Sequence, residues 1–127
     1  MKIVILIARL LLGLGFFVFG LNGFLNFLKG PMPTGLAGQF IGALFASHYL
    51  WAIAGLQIVA GLLLLVNRFV PLALVLLGPV IVNIILFHLL MEPAGIAPGI
   101  FVAVLWLIVF YGHRKYFSGI FVQRAET

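Results

Sequence analysis

Cysteine is absent from the 127 residues, and Asp and Glu together number two. The first absence removes disulfides, thiol chemistry and any thiolate-held cluster or zinc site. The second, with only seven Lys and Arg, leaves 7% charged residues, against about 25% in an ordinary soluble domain. So few charges cannot cover the surface of a 13.9 kDa globule, and a soluble domain is excluded. Hydrophobic residues make up 65% of the chain, which excludes a disordered one. There is no phosphate-cradling loop, no nucleophile–base pair and no metal motif of useful specificity, so no metal is expected. What is present is a set of long apolar runs with a mean hydropathy of +1.36, and the bilayer is the solvent that suits them.

A spanning helix needs about 20 apolar residues, so the chain holds four with short connections, as one domain over 1–127. The first run starts behind Lys2 like a signal peptide. It is longer than a signal h-region and no Ala-x-Ala follows, so a retained helix is expected over about 7–28, with Arg9 snorkelling back to the near surface. Lys29-Gly30-Pro31-Met32-Pro33-Thr34-Gly35 breaks it. The next apolar stretch is too long for one span, and His48, Tyr49 and Trp51 in its middle favour the headgroup level. A short interfacial or re-entrant helix is therefore predicted near 38–46, followed by spans at about 49–66, 69–90 and 98–111. The fold class expected is an all-α, integral membrane four-helix bundle. Pro79 should kink the third span. The basic tail over 112–127, with Tyr116, Phe117, Ile120 and Phe121, is predicted to lie along the membrane surface.

A net charge of +5 would suggest nucleic acid in a soluble protein. Here the charges report topology instead, and no nucleic-acid partner is expected. Lys2, Arg9, Arg68, Arg114, Lys115 and Arg124 fall on one side of the four spans and Lys29 on the other. The positive-inside rule then puts both termini in the cytoplasm.

With that orientation, every strongly polar side chain of the spans lies at the midplane or in the outer half. A deeper layer comprises Asn22, Gln57 and Asn83. These amides either bond across helices, for about 0.6–2 kcal/mol each, or orient a carbonyl-bearing ligand. Asn83 also follows Pro79 by one turn, where it could satisfy the carbonyl that the proline frees. The outer layer comprises Asn26, Gln39, His48, His88 and Glu92. Asn26 would share a helix face with Asn22, and His88 with Glu92, as i and i+4 pairs. A carboxylate beside an imidazole is suited to proton exchange. The alternative is that both simply sit in the wet headgroup region. His48 beside Trp51 reads first as an interface anchor. Gly13, Gly20 and Gly23 read as close-packing positions. The 13 phenylalanines pack or face lipid, and could line a flat-ring pocket.

The motifs are Ala8-Arg9-Leu10-Leu11-Leu12-Gly13, Gly20-Leu21-Asn22-Gly23, Gln39-Phe40, Gly55-Leu56-Gln57-Ile58-Val59-Ala60-Gly61, Asn67-Arg68-Phe69-Val70-Pro71, Pro79-Val80-Ile81-Val82-Asn83 and Phe87-His88. In this order and spacing they resemble the small bacterial DoxX family over nearly the whole chain. The resemblance implies a four-helix protein of the bacterial inner membrane. The family is named for a subunit associated with quinone-linked sulfur oxidation, and other members are linked to redox stress or membrane-protein assembly. Relatives often carry an acidic residue where this chain has Gln57, so no catalytic role is carried onto Gln57.

Two functions follow as expectations. The first is an accessory subunit of a membrane redox system that binds a quinone or lipid-like ligand in an outward-facing polar pocket. Its candidate ligand-binding residues are Asn22, Asn26, His48, Gln57, Asn83, His88 and Glu92. The second is a non-enzymatic scaffold or assembly factor that docks other membrane helices through Gly38, Gly42 and Ala46. A transporter would need an oligomer, since the inner half offers no polar path. The partners are the bilayer and membrane or redox proteins, with homo-oligomerisation and enzymatic activity left open.

Overall fold

In lipid a backbone satisfies its polar groups as a helix or as a closed barrel, and near-continuous apolar runs without strand alternation select the helix. The computed structural model describes residues 1–27 and 32–126 and contains five α-helices: α1 (Lys2–Leu25), α2 (Gly35–Ala46), α3 (Tyr49–Val66), α4 (Val70–Met91) and α5 (Ile96–Gly112). A 3₁₀ turn over Pro93–Gly95 leads into α5, and 3₁₀ turns over Arg114–Phe121 follow it. There is no strand among the described residues. Four of the helical segments are long and apolar enough to cross a membrane, with mean hydropathies of 2.5, 2.2, 2.6 and 2.2. The chain is a multi-pass membrane protein of all-α class, and the short apolar α2 stands between its first two spans as predicted.

α1 packs on α3 and α5, and α4 packs on the same two, so the four long helices close a ring. The tightest seam joins α1 to α3, where small residues repeat every seventh position on both helices. A methyl group at Gly13 would fall 2.9 Å from the Gly61 carbonyl oxygen, and one at Gly20 would fall 2.8 Å from that of Ala54. One at Gly61 would fall 2.6 Å from the Phe17 nitrogen. Gly13, Gly20 and Gly23 are thus close-packing positions, and Gly61 and Ala54 are their counterparts. In lipid, where no hydrophobic force drives helices together, such backbone approach is a main source of association.

The helix ends are set by backbone geometry more than by charge. α1 begins at Lys2 rather than Ile7 and stops at Leu25, because Asn26 adopts the left-handed conformation (φ 51°, ψ 46°). Leu28, the expected end of this span, lies outside the described residues, as does Lys29. Asn67 closes α3 in the same conformation. The Arg68 N–H reaches the Leu63 carbonyl at 3.0 Å and the Asn67 N–H that of Leu64 at 3.4 Å, which are the two bonds of a Schellman motif. Arg9 does not snorkel to the surface. Its side chain is buried, 9% exposed, and its guanidinium donates to the Leu64 carbonyl. A cation on the last carbonyls of α3 also complements that helix's dipole.

The apolar half of the bundle and its polar half fold differently. The continuous core, from Ala8, Leu12 and Phe16 through Leu64, Leu74 and Leu77 to Leu105 and Val109, occupies the half that carries the chain termini. Phe117 from the tail seals that end: it is 4% exposed and meets the Phe110 ring at 4.9 Å. The tail is therefore only partly a surface segment, with Tyr116, Ile120 and Phe121 exposed. The opposite half, toward α2, is where the packing opens.

Candidate functional site

In that opposite half, all four long helices wall one cavity of about 300 Å³. α1 contributes Gly15, Phe16 and Phe19, α3 Gln57, α4 Ile84 and His88, and α5 Pro98, Gly99 and Val102. It reaches from mid-bundle, at Gly15 and Gln57, to the α2 end at His88 and Pro98. The volume is at the lower end of the about 300–1,000 Å³ typical of small-molecule sites. Space exists there because of small residues: a methyl group at Gly15 would meet nothing within 4 Å. Phe16 and Phe19 supply flat apolar walls. A second cavity, of about 380 Å³, lies between α4 and α5 and is lined by Gly78, Val82, Leu86, Trp106, Leu107 and other apolar neighbours. It offers a ligand almost no polar group to orient it.

Two side chains give the first cavity its chemistry. Gln57, midway along α3, makes no hydrogen bond among the described residues, and neither does Nε2 of His88. These atoms are accessible rather than sealed by protein, since among the described residues no fully buried side-chain nitrogen or oxygen lacks a partner. His88 is held at its other nitrogen: Nδ1 lies 3.2 Å from the Glu92 carbonyl oxygen, and Phe87 meets the ring edge-on at 5.1 Å. Phe87 in turn touches Phe40 of α2 at 5.6 Å. A polar group left unpaired within a bilayer costs several kcal/mol unless water or a ligand answers it.

The other predicted site residues fall elsewhere. Glu92 does not extend the helix face of His88. It leaves α4 (φ −150°, ψ 72°), and it holds the imidazole by its backbone carbonyl. Its carboxylate turns toward Gly95, where a methyl group would meet Glu92 Oε1 at 3.1 Å and His88 Cε1 at 2.9 Å. Asn26 is not on the face of Asn22, because its left-handed conformation ends the helix, and it is exposed. Asn22 is half-buried and engaged, outside the cavity walls. Asn83 faces away from the bundle and donates its amide to the Pro79 carbonyl at 2.8 Å. The carbonyl that Pro79 deprives of its partner is that of Val75, four residues earlier, so Asn83 does not fill the role expected of it. Gln39 is exposed on α2.

His48 sits exposed at the start of α3 with a left-handed backbone (φ 63°). Its ring lies against Trp51, with centroids 4.6 Å apart and the planes tilted by 34°. It does not join His88 and Glu92, and no group of three His, Cys, Asp or Glu forms among the described residues. The small-residue stripe on α2 is also divided. Gly38 is taken up internally against the Pro33 carbonyl, 2.5 Å from a methyl position, whereas Gly42 faces open space.

Two polar contacts between helices carried no sequence signal. One is Arg9 to Leu64. The other is Trp106, whose Nε1 donates to the Leu74 carbonyl at 3.0 Å while its ring stacks on Phe110 at 5.2 Å. Both acceptors are backbone carbonyls, which every residue has. Comparison with family models, with curated proteins and with solved structures finds no match.

Proposed function

We propose that this chain is a DoxX-like accessory subunit of a membrane redox system in the bacterial inner membrane, and that it binds a quinone or similar lipid-like ligand. The observation that carries the reading is that Gln57 and His88 line one cavity with Phe16 and Phe19, with the Gln57 amide and the His88 Nε2 making no hydrogen bond among the described residues. The walls fit such a group: Phe16 and Phe19 suit a flat ring, and the two polar side chains stand where ring oxygens need orienting. A quinone, when bound, supplies two-electron carrier chemistry. The protein's own residues would grip the ring, fix its oxygens and move a proton at His88 Nε2. With both termini cytoplasmic, the cavity belongs to the outer half of the membrane.

Native mass spectrometry of protein released gently from its own membrane tests this. A retained quinone or lipid-like mass is expected, lost in His88→Ala. Gly15→Leu is the control for misfolding, since it fills open space rather than removing a contact and should also empty the cavity. A ligand-free protein, or a ligand retained by both variants, contradicts the reading.

A further inference from the structure

We infer that the cavity recognises a hydroxyl on its ligand's ring: the occupant donates an O–H to His88 Nε2 while a second polar atom faces Gln57. This inference rests on the proposed cavity function and specifies the chemical form of the ligand.

The argument starts at the far side of the imidazole. Nδ1 lies 3.2 Å from the Glu92 carbonyl oxygen. A carbonyl oxygen only accepts, so Nδ1 carries the proton and donates it. A neutral imidazole has a single N–H, which leaves Nε2 as a bare lone pair. Orientation is also fixed. The Nδ1–Cε1 edge is turned to Gly95, 3.1 and 2.9 Å from a methyl position there. The Cδ2 edge is turned to Gly99, 3.9 Å from a methyl position, and Gly99 is a wall of the cavity. Nε2 lies between Cε1 and Cδ2 in the ring, and His88 itself lines the cavity.

A ligand carbonyl presented to Nε2 would set lone pair against lone pair. A hydroxyl presented there completes a hydrogen bond. Gln57 makes no such choice, since its amide both donates and accepts. The site is therefore complementary to a phenol or hydroquinone ring, and the fully oxidised diketone leaves Nε2 unanswered. Sites that hydrogen-bond a substrate hydroxyl discriminate against analogues that lack it, because the partner group of the site is left unpaired.

The test uses a para-alkylphenol and its O-methyl ether, of equal chain length, titrated against the protein in lipid nanodiscs. The ether keeps the oxygen and loses the donor. The phenol should bind about tenfold tighter, the effect of one hydrogen bond. His88→Ala should erase the preference, and the four affinities together cancel differences in partitioning and size. His48→Ala should leave it intact. Equal binding of phenol and ether, or a preference that survives His88→Ala, overturns hydroxyl recognition while leaving the cavity assignment standing. Failure of both probes to bind, or binding undiminished in Gly15→Leu, overturns the cavity assignment and this inference with it.

Discussion

Substituting Gly61 by Ala should loosen the whole bundle, and the size of the effect can be worked from the α1–α3 seam. The added methyl would lie 2.6 Å from the Phe17 nitrogen, 2.7 Å from the Gly13 oxygen and 3.0 Å from the Phe17 Cα. All three are backbone atoms, so no side chain can rotate away and α1 itself must withdraw by about 0.5–1 Å. A gap of that size forfeits about a quarter to a half of each contact's attraction along the seam. Overpacking of this kind costs about 1–3 kcal/mol, and the absence of a yielding neighbour puts Gly61→Ala near the top of the range. Gly55→Ala, on the same helix, is the matched control. It meets nothing within 4 Å and removes glycine's helix penalty of up to about 1 kcal/mol. The assay is the unfolding midpoint as the SDS fraction of mixed micelles is raised. Gly61→Ala should unfold earlier than wild type and Gly55→Ala no earlier. A Gly61→Ala protein as stable as Gly55→Ala refutes the seam.

Other substitutions probe the remaining contacts. Arg9→Met keeps the side chain's length but removes the guanidinium from the Leu64 carbonyl, and should lower stability by about 1.5–3 kcal/mol in the same assay; an unchanged midpoint would mean the arginine does not cap α3. Trp106→Phe keeps a ring against Phe110 and loses only the bond to Leu74, so a loss of about 1 kcal/mol is expected, and a loss several times larger would assign the role to packing instead. Phe117→Ala should unseat the tail, costing up to about 3 kcal/mol, with limited proteolysis cutting beyond residue 112 much faster than in wild type. A cleavage rate equal to wild type would contradict the seal.

Span positions were legible because apolar runs end at residues that cannot continue them. α3 coincides with its predicted 49–66, bounded by His48 and Asn67, and α4 falls within one residue of 69–90. The end of α1 was not legible, since the left-handed turn of Asn26 arises inside an apolar stretch rather than at a charge. Helix faces were harder still. Helices apolar all round carry no periodicity that says which side looks inward. Gln57 and His88 could therefore be placed by depth but not seen to share a cavity, and Asn83 could not be seen to face outward. The asymmetry between an apolar half and a polar half survived only in part, because Arg9 is buried in the apolar half against the Leu64 carbonyl. It reappears as a sealed core around Leu64, Leu74 and Leu77 at one end and a cavity at the other.

The central claim is that the ligand lies among α1, α3, α4 and α5 and not in the larger groove between α4 and α5. Photolabelling with an aryl-azide hydroquinone analogue in native membranes, followed by peptide mapping, tests it most directly. Adducts are expected on Phe16, Phe19, Gln57, His88 and Val102, with labelling lost in Gly15→Leu. Adducts confined to Gly78, Val82, Trp106 and Leu107, or labelling unchanged in Gly15→Leu, would contradict the account.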